Sequence, residues 1–380
     1  MILPFVIRAA QSEHLNSFGK RKTKWIATGL DAKGNKKRAE EMLMELKRNF
    51  KPVDARKIES DMPFSDFLES WLEITRNTAA VSTYASYAAM MNSVIIPYFK
   101  DLQITLKELS ARHIQEFYLC SLKKVSVSTV IHYHANIHKA LKYAVKLDLI
   151  DVNPADKVER PKKEHFVANF YDAEEVNELF EVAKGSKLEL PILFGAFYGL
   201  RRSEIIGLKW DAVDFDQNTI TIKHTVTSCN IGGKHILVAS DTTKTKSSMR
   251  TLPLVPFMRE RLLALREEQN ENRRICGRSY NKEYLGYVCV NELGDLLKPN
   301  YVSENFPKLL EANGLRRLRF HDLRHSCASL LLANGVPMKQ IQEWLGHSDF
   351  STTANIYAHL DYSSKLDSAD AMMAGLGIKA

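Results

Sequence analysis

The spacing of apolar residues changes along the chain and divides it into three stretches. Lys20-Arg21-Lys22-Thr23-Lys24-Trp25-Ile26 alternates as a strand does, and Asp31 to Asn35 supplies turn residues. Residues 1–19 make a poor first strand to pair with it. From Lys36 to Phe50 the period becomes helical, with Ala39, Met42, Leu43 and Leu46 on one face. Residues 63–155 then repeat the helical period four times. Ser65 is placed to cap a helix carrying Phe67, Leu68, Trp71 and Leu72. A second opens at Val81-Ser82-Thr83-Tyr84 and runs towards Ile96-Pro97. Ser110 caps a third containing Ile114, Phe117 and Tyr118, and Ser126 or Ser128 opens a fourth that ends near Leu149. Short helices with short connections make an all-α domain.

Residues 165–380 mix both periods. Helices are expected at 173–184, 188–198, 203–208, 256–272, 300–312, 322–334 and 337–345. Strands are expected from Thr219 to Val226, from Ile236 to Val238 after the Gly232-Gly233 turn, and from Met249 to Leu254. Proline-containing stretches at Lys51–Met62 and Asn153–Lys163 read as linkers. The fold class is therefore multidomain α+β and mostly helical. It has a small basic sheet-and-helix unit at 1–57, an all-α domain at 63–155 and a mixed α/β domain at 165–380.

Charge sharpens this picture. The chain has 380 residues and a formal net charge of +8. Residues 1–60 hold 14 Lys/Arg against 7 Asp/Glu, a net of +7, so nearly the whole excess lies in the first sixth. A basic balance of this kind favours an anionic partner such as nucleic acid or an acidic membrane. Five scattered cysteines with no C-x-x-C pair indicate neither a disulfide framework nor a zinc site and fit a reducing cytoplasm. The longest mostly apolar run, Leu190 to Leu200, has 11 residues, the length of a core helix and too short to cross a bilayer. No membrane association is expected. His134 and His138, four apart on a helix, lack a third metal ligand nearby and read as a surface or DNA-facing pair.

Five segments of the last domain share arginine, lysine, histidine and one tyrosine: Gly199-Leu200-Arg201-Arg202-Ser203-Glu204, Lys244-Thr245-Lys246-Ser247-Ser248-Met249-Arg250, His321-Asp322-Leu323-Arg324-His325, Leu345-Gly346-His347 and Ile356-Tyr357. The set resembles the tyrosine recombinases, and among them the integrases of phages and conjugative transposons. The resemblance spans the chain in its three-domain layout, with the specific motifs between 199 and 359. It implies site-specific DNA integration and excision through a 3′-phosphotyrosyl intermediate, with Tyr357 as the nucleophile and neither metal nor ATP required. Arg201 and Arg324 match the family's two arginines, and Arg202 competes for the first place. Arginine suits the role, because its planar fork holds two phosphate oxygens and stays charged.

His321 is the candidate to take the tyrosine's proton or support the phosphate, and His347 to donate to the phosphate from just beyond the Gly346 helix end. His325 reads as a packing residue. The family's general acid is a lysine on a β-hairpin; Lys244 matches it best and Lys246 is the alternative.

By the same resemblance, residues 1–57 correspond to an arm-binding domain, with Lys20, Arg21, Lys22, Lys24 and Trp25 as contacts. Residues 63–155 correspond to a core-binding domain, with Thr83, Tyr84, Lys139 and Lys142 near phosphate. Expected partners are double-stranded DNA at core and arm sites, three further copies in a homotetramer on synapsed DNA, an excisionase and a host DNA-bending protein. A type IB topoisomerase and a chromosome-dimer resolvase share the chemistry but lack the basic arm. A purely DNA-binding regulator would lose members of the catalytic set.

Overall fold

A computed structural model of the protein describes residues 61–162, 169–241 and 249–346, and the strands Pro4–Ala9 (β1) and Lys24–Asp31 (β2). Lys37, Arg38, Glu40, Glu41, Met44 and Met373 are described singly. The chain divides into two compact units, Met1–Ala80 with Met90–Pro161, and Val81–Ala89 with Lys162–Ala380. Among the described residues, no helix is long and apolar enough to cross a membrane.

The N-terminal strands pair antiparallel, Val6 opposite Ala27 and Ala9 opposite Lys24. The strand expected at Lys20–Ile26 thus starts at Lys24, and its partner comes from residues 1–19 after all. Val6 and Ile7 are β-branched and suit a pleated strand. Pro4 sits at the strand's first position, where a missing N–H is tolerated.

In the helical unit, α1 (Phe64–Thr78) buries Phe64, Phe67, Leu68, Trp71 and Leu72. Its cap is Pro63, not Ser65: the Phe67 N–H that a Ser65 cap would accept donates to Pro63 O at 3.1 Å, and the Ser65 hydroxyl turns to Asp66 at 3.0 Å. The expected second helix is three pieces in succession, α2 (Val81–Met90), whose residues Val81–Ala89 group with the second unit, a π-helical turn at Met91–Ile95, and α3 (Ile96–Leu102). Pro97 lacks an N–H and its ring crowds the carbonyl four residues back, and the wider π turn accommodates it.

Helix α4 (Ala111–Leu122) begins at Ser110, whose N–H donates to His113 Nδ1 at 3.2 Å. Helix α5 (Val127–Lys146) is capped by Ser126, which accepts from the Thr129 N–H at 3.3 Å. His134 of α5 is a core residue, contrary to the surface pair expected. It is buried, and its Nδ1 lies 2.7 Å from the Tyr118 hydroxyl. Burial, with the nearby His138 and Arg160, holds its pKa down. His138 bonds Asp156 at 2.7 Å instead. Helical spacing put both histidines on one face but could not say that α4 covers half of it.

The second unit contains α6 (Ala173–Ala183), α7 (Glu189–Phe197) and the five-residue α8 (Arg202–Ile206). The strands β3 (Val213–Asp214), β4 (Thr219–Ile222) and β7 (Arg250–Pro253) form one antiparallel sheet in the order β3-β4-β7. Strands β5 (Thr225–Ile231) and β6 (Lys234–Ser240) form a separate hairpin. The single strand expected over Thr219–Val226 breaks at Lys223-His224 because its two halves pair with different partners. Gly232 and Gly233 both have positive φ, 59° and 80°, the backbone that a two-residue hairpin turn requires.

Helices α9 (Pro256–Cys276), α10 (Pro299–Ala312), α11 (Leu323–Ala333) and α12 (Met338–Leu345) complete the unit. A continuous core runs through Phe194, Tyr198, Ile205, Ile206, Ile220, Leu252 and Phe306. The apolar run at 190–200 supplies its centre, as a core helix should.

Candidate active site

Arg201 is the N-cap of α8, so the first turn of that helix presents its own side chain. Glu204, one turn on, accepts from the Arg201 N–H at 3.0 Å and from its guanidinium at 2.7 Å. The opposite side of the same carboxylate takes Arg250 of β7 at 2.9 Å. Glu204 is only 2% exposed and Arg250 7%. Burial acts to raise the Glu204 pKa, but Arg250, Arg201 and Arg324 outweigh it and hold the carboxyl below its ordinary value.

The three guanidiniums share a second anchor. Arg250 Nε donates to Trp344 O at 2.8 Å, Arg324 to Leu345 O at 2.7 Å and Arg201 to Gly346 O at 3.2 Å. These are consecutive carbonyls at the C-terminus of α12, the end of a helix that lacks internal donors and carries partial negative charge. Each receives one arginine. Gly346 ends the helix in the left-handed conformation at φ 70°.

Arg324 of α11 also donates to Gly199 O at 2.5 Å. Gly199 has φ 64°, and a Cβ there would lie 2.4 Å from Leu345, so the G-L-R turn needs glycine on both counts. Tyr198 stacks on Trp344, with centroids 5.9 Å apart and planes at 14°, and its hydroxyl donates to Pro253 O at 2.9 Å. The end of α7, strand β7 and helix α12 are thereby tied together behind the arginines.

Arg324 is buried, which with the neighbouring Arg201 pulls its pKa down to about 9; it stays charged at neutral pH. Arg201 differs in being a third exposed, leaving part of its fork open. Three arginines against one carboxylate leave this cluster with a net charge of +2.

His321 lies on a 3-10 turn (Phe320–Asp322) just before α11, rather than on the helix itself. The residue is exposed at the surface on one side and meets His325 on the other. Desolvation, reinforced by His325 and Arg324, lowers its pKa to about 4. The imidazole is therefore neutral at pH 7 and free to accept a proton. His325 is buried edge-on against it, rings 5.6 Å apart at 85°, as a packing residue would be. Asp322 is buried and held by Arg319 through paired bonds of 2.7 and 2.9 Å.

The structure thus brings Arg201, Arg324 and His321 into one neighbourhood. Arg202 bonds Ser303 of α10 instead. Lys244, Lys246, His347 and Tyr357 lie outside the described residues, as do Lys20, Arg21, Lys22 and the side chains of Lys24 and Trp25. Thr83 and Tyr84 sit half-buried on α2, and Lys139 and Lys142 are exposed on α5. Sequence reasoning missed Arg250. Its signal was an arginine in a strand that is otherwise apolar and extended, a position where a charge must find a buried partner.

A buried carboxylate that fixes two guanidiniums, with a third beside it and a histidine at the rim, is a preorganised cationic cluster able to meet an anion. Residues 169–364 match the phage integrase family, and residues 63–119 match its N-terminal SAM-like domain. A tyrosine recombinase XerC-like protein of Caldanaerobacter subterraneus subsp. tengcongensis is 29% identical, over 82% of this chain and 83% of its own length. The ICEBs1 integrase of Bacillus subtilis is 26% identical, over 88% of this chain and 89% of its own. Among solved structures, the Tn1549 transposon integrase in complex with a circular intermediate DNA shares the fold. Its TM-score is 0.64 at 20% identity, covering 83% of this chain and 99% of that one.

The family match makes this chain an enzyme that breaks and rejoins DNA. The chain belongs to the phage integrase family, the tyrosine-type site-specific recombinases.

Proposed function

We propose that Tyr357 is the nucleophile of an integrase that inserts and excises a mobile element. Its Oη attacks the scissile phosphorus, forming a 3′-phosphotyrosyl bond while the bond from phosphorus to the 5′ oxygen breaks. The tyrosine proton passes to His321, and the leaving 5′ oxygen takes a proton from the Lys244 ammonium. One ester replaces another, so bond energy is conserved and ATP is not called for. A free 5′ hydroxyl of the partner strand reverses the step.

The observation that carries this reading is the anchoring of Arg250, Arg324 and Arg201 on the carbonyls of residues 344, 345 and 346. The next residue is His347, so a rigid cationic frame leads directly into the candidate phosphate donor. Donors fixed before the reaction cost nothing to reorganise as charge develops on the non-bridging oxygens. Removal of one typically costs about 2.7–4 kcal/mol, or about 10²–10³ in rate. The low pKa of His321 comes first from desolvation and then from the neighbouring His325 and Arg324; the arriving phosphate charge raises it and makes the ring a better proton acceptor.

On this reading residues 165–380 are the catalytic domain and His347 completes the phosphate cradle. Residues 63–155 clamp core DNA, with Thr83, Tyr84, Lys139 and Lys142 near the backbone. Residues 1–57 read arm sites through Lys20, Arg21, Lys22, Lys24 and Trp25. The enzyme works in the cytoplasm as a homotetramer on synapsed DNA, with an excisionase and a host bending protein setting direction.

A nicked core site that traps the cleaved state tests the proposal. The protein should form an SDS-resistant adduct with it, and Tyr357→Phe should bind the site equally well yet form none. Adduct formation by Tyr357→Phe at the normal rate would assign the nucleophile elsewhere.

A further inference from the structure

We propose that Arg250 is a positioning residue: by holding the far edge of the Glu204 carboxylate it keeps Arg201 open towards the scissile phosphate. The inference rests on the reading of Arg201 as a phosphate ligand given above.

Arg250 stands on β7 opposite Ile222 of β4. Side chains alternate between the two faces of a strand. Thr251 faces outward, its hydroxyl 3.1 Å from that of Thr221, while Arg250 shares the inner face with the buried Leu252. A charge at an inward position needs fixed partners. Arg250 finds them in two helices. Its Nε donates to Trp344 O at 2.8 Å, and Nη2 and Nη1 reach Glu204 Oε2 and Oε1 at 2.9 and 3.4 Å. At 7% exposure its side chain is closed to a polymer such as DNA, whereas Arg201 is a third exposed. Whatever Arg250 does for the phosphate, it does through a neighbour.

Arg201 meets the near edge of the same carboxylate through Nη1, 2.7 Å from Oε1, and gives Nη2 to Gly346 O. A guanidinium carries five N–H donors. Two are engaged here, so among the described residues three, Nε–H included, remain for a phosphate. Without Arg250, both carboxylate oxygens are free to take Arg201 side-on, the paired geometry that guanidinium and carboxylate favour. The fork then closes on Glu204 and turns from the phosphate.

The charge balance shifts in the same direction. Arg201, Arg250 and Arg324 against Glu204 leave +2; without Arg250 the sum is +1. Burial works to raise the Glu204 pKa, and among the groups that lower it Arg250 comes ahead of Arg201 and Arg324. Arg250 is thus the main counter-charge of Glu204, which leaves the charge of Arg201 to the substrate.

A second substitution separates this role from plain stabilisation. In Arg250→Met the buried carboxylate loses its main partner. In Arg250→Met with Glu204→Gln the carboxylate charge is gone as well, and Arg201 and Arg324 again give +2. A purely structural role predicts that the two losses add; the positioning role predicts that the second change relieves the first.

Adduct formation is followed in single turnover at saturating nicked core site with the full-length protein. Site binding is measured separately by gel shift, and the urea midpoint is recorded for each variant. Arg250→Met should bind nearly as well as the unaltered protein and form adduct on the order of 10²-fold more slowly, the loss expected of a misplaced catalytic group. The double variant should return to within about tenfold of the unaltered rate. Should Arg250→Met not fold, Arg250→Gln, which keeps a donor beside the carboxylate, takes its place in the same pair. A double variant as slow as the single one, or a single variant at the normal rate, overturns the proposal. Arg201→Ala runs in parallel. A normal rate there overturns the reading of Arg201, and the purpose of the clamp with it. A slow Arg201→Ala beside an unrelieved Arg250 variant overturns the clamp alone.

Discussion

Glu204 shows how one buried charge decides the character of a site. Alone, a carboxylate at 2% exposure would be protonated; between Arg201 and Arg250 it stays ionised and fixes both. Removing one partner of such a buried network leaves uncompensated charge and costs about 3–5 kcal/mol. Glu204→Ala should therefore lose about that much in a urea titration. The pH dependence has a definite sign. The folded pKa of Glu204 lies below the roughly 4.3 of an unfolded chain. The carboxylate therefore contributes stability that is complete above that value and is lost as pH falls through the folded pKa. In Glu204→Gln the urea midpoint should lose this acid-dependent component. An unchanged pH profile would mean that the clamp is not ionic. The sequence offered Glu204 through its spacing from Arg201, because residues three apart share a helix face. Arg250 could not be found that way, since it reaches Glu204 from a strand 46 positions distant.

Elements set by local spacing are the ones the sequence disclosed. The helices around 173–184, 256–272 and 322–334 appear within a few residues of their expected ends, because each carries an apolar stripe and a recognisable start or stop. What escaped depends on partners distant in sequence. Ser65 does not cap α1, because the Phe67 N–H it would accept already donates to the Pro63 carbonyl. The π turn before Pro97 responds to a ring clash four residues back. Spacing alone predicts a surface or DNA-facing position for His134, because a face reads the same whether α4 covers it or water does. The C-terminus of α12 teaches the same point. Gly346 announced a helix end, but that the three bare carbonyls each take an arginine from another element is a tertiary fact.

At the scale of the whole chain, charge placement and unit boundaries carry the argument. The +7 excess in residues 1–60 belongs to a stretch whose described strands, β1 and β2, form a two-stranded sheet. A two-stranded sheet alone is marginal in water and needs something packed against it. If that stretch reads arm DNA, deleting residues 1–57 should abolish binding to distal sites in a gel-shift assay and leave core-site cleavage intact. Arm binding in the full chain should also weaken steeply with salt, since each phosphate contact releases counterions. Undiminished distal binding after the deletion would remove the arm assignment. The identity of the catalytic family was legible in five short motifs, whereas the geometry that makes them one site was not: positions 199, 204, 250, 324 and 346 meet only in the folded unit.

The central claim is that fixed guanidiniums answer the negative charge that develops on the scissile phosphate. It is tested most directly by the single-turnover adduct rate of Arg324→Ala on two sites, one ordinary and one with a neutral methylphosphonate at the scissile position. The account predicts a loss of about 10²–10³ on the phosphate and a much smaller one on the methylphosphonate, where one charged oxygen is gone. Equal losses on both would contradict it.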